Sequence, residues 1–153
     1  MVPAVIASGA QAVGGMATGA IPLIAAVSAV AKRQGKVIPG FFVRSEPKQH
    51  GIVEEESLSA AIGEKGAELL KSGTDVAILE DTVTTARSAL DAAAEATRRG
   101  CKVVLAACVV ERHEGGGDRF RERGIAFTRV FYTDEVGNLY VDGEVERLVQ
   151  TRD

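Results

Sequence analysis

Residues 76–88 read Val-Ala-Ile-Leu-Glu-Asp-Thr-Val-Thr-Thr-Ala-Arg-Ser. The stretch opens on a short apolar run, 75–79, of the kind buried on both faces in a parallel sheet. It meets two carboxylates, Glu80 and Asp81, and then four hydroxyl residues within seven positions. An alanine-rich segment over 88–99 follows as a helix, stopped by Gly100. A strand that turns into a helix through a polar loop is the repeating unit of an α/β fold.

The same unit recurs on either side. Upstream, 11–15 (Gln-Ala-Val-Gly-Gly) is a short strand running into a glycine loop, and 21–34 is a helix with Pro22 in its first turn and Gly35 as its stop. Its apolar residues cover nearly the whole circumference, which predicts deep burial. Residues 36–43 are β-branched and aromatic and read as a strand, interrupted by Pro39-Gly40 at an edge or bend. A polar loop over 44–56 leads to a helix over 57–71, with Ser57 as its cap and Leu58, Ile62, Leu69 and Leu70 on its apolar side.

Downstream, 102–110 is the most hydrophobic run and is expected to be a central strand. A glycine loop at 115–117, a short helix over 118–123 and a strand over 125–132 follow. Gly137-Asn138 marks a turn before a polar tail. The expectation is an α/β fold: a doubly wound parallel sheet of about five strands with helices on both faces. One domain covers 1–153, with its core over about 11–132 and a C-terminal hairpin and tail over 133–153.

Composition agrees with a protein that carries its own core. At 153 residues, a chain buries roughly seven tenths of its extended surface on folding. Hydrophobic residues make up 46% and charged residues 25%, and the net charge is −3. That balance gives no basic footprint for a nucleic acid. The most membrane-like stretch, 17–31, is shorter than the roughly 20 apolar residues a span needs, and it contains Pro22 and Ser28. Residues 1–12 lack the basic start of a signal peptide, so a cytoplasmic protein is expected. Cys101 and Cys108 flank an apolar strand without metal-ligand spacing and read as reduced core residues.

In a parallel sheet, ligands bind beyond the carboxyl ends of the strands. Four loops leave those ends, at 14–19, 44–51, 80–88 and 111–117. They hold most of the glycine clusters, both histidines and the acidic pair. In the third, a helix start with free N–H groups and nearby hydroxyls makes a phosphate cradle. The acidic pair before it suits sugar hydroxyls or a hard divalent cation. Taken alone, the residues leave two readings open: a site for a ribose 5-phosphate, or a helix capped by Ser and Thr with Glu80 and Asp81 as solvated turn residues. No Gly-x-Gly-x-x-Gly opens the first helix, which argues against a dinucleotide fold.

This stretch resembles the phosphoribosyl pyrophosphate (PRPP) signature of the type I phosphoribosyltransferases: four apolar residues, two acids, two variable positions, then Thr-Thr-Gly-x-Ser. It departs at Ala86, where the family usually has glycine. Residues 42–51 resemble the mobile catalytic loop of the orotate branch, Arg44, Lys48, His50 and Gly51 matching while Ser45 replaces a lysine. Residues 14–22 are similar to the pyrophosphate loop, with Thr18 and Gly19 matching and Ala20 in place of a glycine. Residues 110–116 resemble the segment whose arginine, here Arg112, binds the carboxylate of the base. The resemblance spans about 11–132, and the N-terminal hood of the orotate enzymes is expected to be missing or shortened.

The resemblance implies Mg²⁺-dependent transfer of a 5-phosphoribosyl group from PRPP to a nitrogenous base, orotate as first choice. Glu80 and Asp81 would hold the ribose hydroxyls, with Mg²⁺ as a further partner for both carboxylates. Thr82, Val83, Thr84, Thr85, Ala86, Arg87 and Ser88 would form the phosphate loop. Thr18 and Gly19 would lie beneath the pyrophosphate; Arg44, Lys48 and His50 would cover it. Arg112 and Thr84 would face the base, and Lys48, His50 and Asp81 would carry the catalysis. A homodimer is implied, with small-molecule substrates and neither nucleic acid nor membrane as partner. The alternatives are a non-catalytic PRPP- or nucleotide-binding regulator on the same fold, and an enzyme whose hood comes from a partner chain.

Overall fold

The structure is a computed structural model that describes residues 1–44, 58–60, 70 and 73–143. Its centre is a five-stranded sheet. Strands β1 (Ala12–Gly14), β4 (Asp75–Val83), β5 (Lys102–Glu111) and β6 (Ala126–Thr133) run parallel in that spatial order, and β7 (Leu139–Val141) closes one edge antiparallel to β6. A separate antiparallel pair is formed by β2 (Phe41–Val43) and β3 (Leu58–Ala60). The helices are α1 (Val2–Ala7), α2 (Ile21–Arg33), α3 (Arg87–Arg98) and α4 (Gly116–Arg121).

The period-2 geometry of β4 divides the core in two. Val76 and Ile78 face one layer with Ala89, Ala92, Ala93 and Ala96 of α3 and with Phe120 of α4. Ala77 and Leu79 face the other, with Val5 of α1 and Ile24, Val27 and Ala31 of α2. Helices therefore cover both faces, as the sequence implies. The alanine stripe of α3 lets its axis lie close to the sheet, and Phe120 stacks on Phe127 with ring centroids 5.6 Å apart. Cys101 and Cys108 are both buried thiols; burial raises the pKa of each, that of Cys108 to about 12.

Several elements differ from expectation, each for a visible reason. Strand β4 does not end at Leu79 but continues through Glu80, Asp81 and Thr82 to Val83, because β5 stays apolar to Val110 and offers Val110 and Glu111 as partners for Thr82 and Val83. Of 36–43 only Phe41–Val43 is a strand. Pro39 uses its carbonyl to accept from Val13 N–H (2.9 Å), and isolated parallel bridges, Gly40 to Val13 of β1 and Val43 of β2 to Met16 just past β1, hold this segment beside the main sheet instead of within it. The helix expected from residue 57 is contradicted at its start: 58–60 pair with β2 as a strand, and 61–69 lie outside the described residues.

Helix α2 is buried along one face only, with Ala25, Ala26, Ala29 and Val30 exposed, because it covers one face of a narrow sheet edge. Packing also extends past 11–132: Val5 of α1 is fully buried. The turn at 137–138 proves to be the tip of a hairpin. There the Asp134 carboxylate accepts from the N–H groups of Val136 (3.1 Å) and Asn138 (2.8 Å) and from the Tyr140 hydroxyl (3.0 Å), while Gly137 takes φ 91°. The returning strand of this hairpin, β7, is only three residues long, too short for periodicity alone to set its bounds. No helix among the described residues is long and apolar enough to cross a membrane.

Candidate functional site at the carboxyl edge of the sheet

Because β1, β4 and β5 are parallel, the loops after them emerge on one edge. β2 delivers its own end to that edge. Val43 N–H donates to the Gly15 carbonyl (2.9 Å) and Ala17 N–H to the Val43 carbonyl (2.7 Å), so Arg44 leaves the strand beside the 14–19 loop. Arg44 is half-buried with its guanidinium 5.3 Å from the Phe42 ring centroid, and its Nε has no hydrogen-bond partner among the described residues. Lys48 and His50 lie outside the described residues.

The acidic pair sits inside the hydrogen-bonded part of β4, where a turn was expected. Glu80 is buried, and Asp81, next along, is exposed. Asp81 N–H donates to Glu80 Oε1 (3.2 Å), and Thr82 N–H donates to Asp81 Oδ1 (2.6 Å). Burial, reinforced by the neighbouring Asp81 carboxyl, raises the Glu80 pKa to about 7. The 14–19 loop meets this pair directly: a Cβ placed on Gly19 would come within 3.1 Å of Asp81 Oδ2. Thr18 and Gly19 are both exposed, and the Ala17–Thr18 peptide is cis.

Past Val83 the chain turns sharply into α3. Ala86 occupies the N-cap position in the left-handed region (φ 60°, ψ 12°), and α3 has no side-chain cap. The helix thus starts at Arg87 without the Ser or Thr cap that the bland reading of this loop required. Its first N–H groups remain open to an anion, toward which the helix dipole is favourable. Glu80, Thr84, Thr85 and Ser88 help line a small cavity of about 60 Å³ here, roughly the room of a few water molecules.

The 111–117 loop is stitched to this one. Arg112 N–H donates to the Val83 carbonyl (2.8 Å), and Arg119 Nη1 donates to the Thr85 carbonyl (2.9 Å). A Cβ on Gly116 would collide with the Thr84 carbonyl and the Val83 side chain. Arg112 is thereby anchored next to Thr84, with its own side chain exposed and only loosely paired to Glu114 (4.0 Å). Beneath it lies a charge network not apparent from the sequence. Buried Glu111 accepts from Gly117 N–H (2.7 Å) through Oε1 and pairs with Arg129 through Oε2; Arg129 Nε donates to Asp142 of the hairpin (2.8 Å). The available signal was Arg129 itself, a charge inside the apolar run of β6.

The expected residues 18–19, 44, 80–88 and 112 therefore converge on one edge. Among the described residues no group of three or more His, Cys, Asp or Glu is placed to hold a metal ion. Glu80 and Asp81 supply hard oxygen atoms, a donor set that fits Mg²⁺ only if a ligand or water supplies most of its coordination.

Known proteins resemble the chain in sequence and in structure. No protein-family model matches the sequence. The orotate phosphoribosyltransferase of Bradyrhizobium diazoefficiens is 36% identical over 123 residues, covering 80% of this chain and 63% of the relative. In sequence and in fold the chain is similar to orotate phosphoribosyltransferases. The orotate phosphoribosyltransferase of Aquifex aeolicus is 35% identical over 126 residues, 82% of this chain and 63% of its own. Among solved structures, the Mycobacterium tuberculosis H37Rv orotate phosphoribosyltransferase in complex with PRPP superposes with a TM-score of 0.64 at 27% identity, over 80% of this chain and 63% of that one. The chain spans a little under two thirds of the length of these relatives.

Proposed function

We propose that this chain is a type I phosphoribosyltransferase that transfers the 5-phosphoribosyl group of PRPP to a nitrogenous base, with orotate as the acceptor. The observation that carries the reading is the uncapped start of α3 directly beyond Glu80 and Asp81: one edge offers a phosphate cradle and a ribose-binding acid pair side by side. In the transfer, a ring nitrogen of the base bonds to the ribose anomeric carbon as the bond to pyrophosphate breaks. The nitrogen gives up its proton, and pyrophosphate leaves with the bonding pair.

Each group then has a task. Glu80 and Asp81 accept from the ribose hydroxyls and face the positive charge that develops on the ring, which draws Glu80, with a pKa of about 7, to its ionised form. The backbone of Thr82 to Ser88, with the hydroxyls of Thr84, Thr85 and Ser88 and the cation of Arg87, holds the 5-phosphate. Thr18 and Gly19 lie under the pyrophosphate, and Arg44, Lys48 and His50 cover it. Their positive charge stabilises the departing group more than the bound substrate. Arg112, anchored beside Thr84, offers a fork that suits a carboxylate on the base. Mg²⁺ accompanies PRPP and, when bound, neutralises part of the pyrophosphate charge, with Glu80 and Asp81 as the chain's oxygen donors to it. A cytoplasmic homodimer is the form we propose, on the strength of the family resemblance.

The test is to incubate the protein with PRPP and Mg²⁺, screen orotate and other bases for pyrophosphate release, and run Asp81→Asn beside it. Release that requires orotate and is lost in the variant is the expected result. Tight PRPP binding without release for any base would replace the transferase by a PRPP-binding regulator. Absence of PRPP binding would overturn both.

A further inference from the structure

Ala86 is the only non-glycine with a positive φ among the described residues. A methyl group there meets the carbonyl that follows it, so the conformation persists only where the surroundings hold it. The holding contacts are specific. Arg119 Nη1 donates to the Thr85 carbonyl (2.9 Å), and that carbonyl belongs to the same peptide plane as the Ala86 nitrogen. Rotation of this plane is the motion that would release Ala86 from its left-handed state. Gly116 abuts the same turn, since a Cβ there would collide with the Thr84 carbonyl and approach Ala86 N to 3.2 Å. Beyond the turn, the Ala86 carbonyl accepts from Leu90 N–H (2.8 Å) and so starts the hydrogen-bond ladder of α3.

We propose that Arg119 is a positioning residue for the 5-phosphate site: it braces the left-handed Thr85–Ala86 peptide and so aims the open N–H groups at the start of α3. The inference rests on the reading of 80–88 as the PRPP loop. Arg119 is exposed, and its role is to keep the cradle formed before the ligand arrives. Without the brace, the loop relaxes toward negative φ at Ala86, and PRPP binding must restore the turn. With glycine at 86 the left-handed state carries no steric penalty, so the brace has no strain to hold down and matters less.

The experiment is a double-mutant cycle of Arg119→Met and Ala86→Gly, read by calorimetric titration with PRPP and Mg²⁺ and, separately, by denaturant unfolding without ligand. Arg119→Met is expected to weaken PRPP binding about fivefold, close to 1 kcal/mol, in the parent background. In the Ala86→Gly background the loss is expected to fall below about twofold. Equal losses in both backgrounds would mean that Arg119 acts only as a nearby cation, and no loss in the parent background would mean that it does nothing for the phosphate; either overturns the proposal. If the parent does not bind PRPP, the reading of the loop fails and the positioning role with it. The ligand-free unfolding cycle then still tells whether the brace exists, because additive stabilities would remove it as well.

Discussion

Replacing Arg129 with methionine strips the partner from a buried carboxylate. Glu111 is 6% exposed and uses Oε1 on Gly117 N–H, so Oε2 depends on the Arg129 guanidinium. Burial works against the Arg129 charge, but bonds to Asp142 and Glu111 more than offset it, and its pKa lies above the ordinary value. Loss of one member of a fully buried pair costs roughly 3–5 kcal/mol. The Arg129 side chain is 28% exposed, which lets water reach the vacated position and brings the expected cost to about 2–3 kcal/mol. For a chain of this length that is a fall in Tm on the order of 5–10 °C. Methionine preserves much of the aliphatic stem, which keeps the packing loss small. Glu111→Leu placed on Arg129→Met should recover part of the loss, because no charge is then left buried at 111, while Gly117 N–H loses its acceptor and Asp142 its Arg129 partner. Thermal and urea unfolding of the single and double variants measure this. A loss below about 0.5 kcal/mol for Arg129→Met, or a double variant less stable than the single, would refute the assignment of the network as a buried-charge support.

Three further outcomes are expected. Glu80 has its folded pKa raised from 4.5 to about 7, so the native state retains the proton longer than the unfolded chain; stability should fall as pH rises from about 4.5 to 7, by up to about 3 kcal/mol, and level off above that. Urea titrations across that range should show the slope, and Glu80→Gln should flatten it. Gly116→Ala drives a methyl into the Thr84 carbonyl and should cost about 1–3 kcal/mol by chemical denaturation, with PRPP affinity falling alongside. Phe120→Ala empties a fully buried position stacked on Phe127 and should cost about 3–5 kcal/mol, measured the same way, provided the variant still folds cooperatively.

The fold was legible where apolar runs were long enough to declare a period. The strands around 76–79 and 102–110, the alanine face of α3 and the glycine stops at 35 and 100 all declare themselves, and they determine which sheet edge carries the loops. What the sequence concealed depended on partners distant along the chain. β4 extends to Val83 because β5 is there to receive it, not through any propensity of Glu80-Asp81-Thr82. The 58–60 segment is a strand because β2 offers an edge, although Leu58 also fits a helical stripe. In the site, motif residues such as Arg112 and Thr84 were readable as types. The bonds that bring them together, from Arg112 to Val83 and from Arg119 to Thr85, run backbone to backbone or side chain to backbone and have no compositional mark. The Glu111–Arg129 pair was hidden for a related reason: Arg129 stands out as a charge in an apolar run, but a buried pair requires both members, and they are separated by a helix and a loop.

The stitching of the 111–117 loop to the end of β4 bears on how such a site can diversify. The Arg112 N–H occupies the Val83 carbonyl, and Gly116 leaves no space above Thr84, so neither loop can gain or lose a residue unless the other changes with it. Insertions, the usual currency of loop evolution, are therefore closed to this pair. A descendant that accepts a different base would arise through exchanged side chains at positions 84 and 112, or through whatever element shelters the site from above. The end proposed for the phosphate would be inherited intact, since the backbone joint that limits variation at the proposed acceptor end also holds the turn at Ala86 in place.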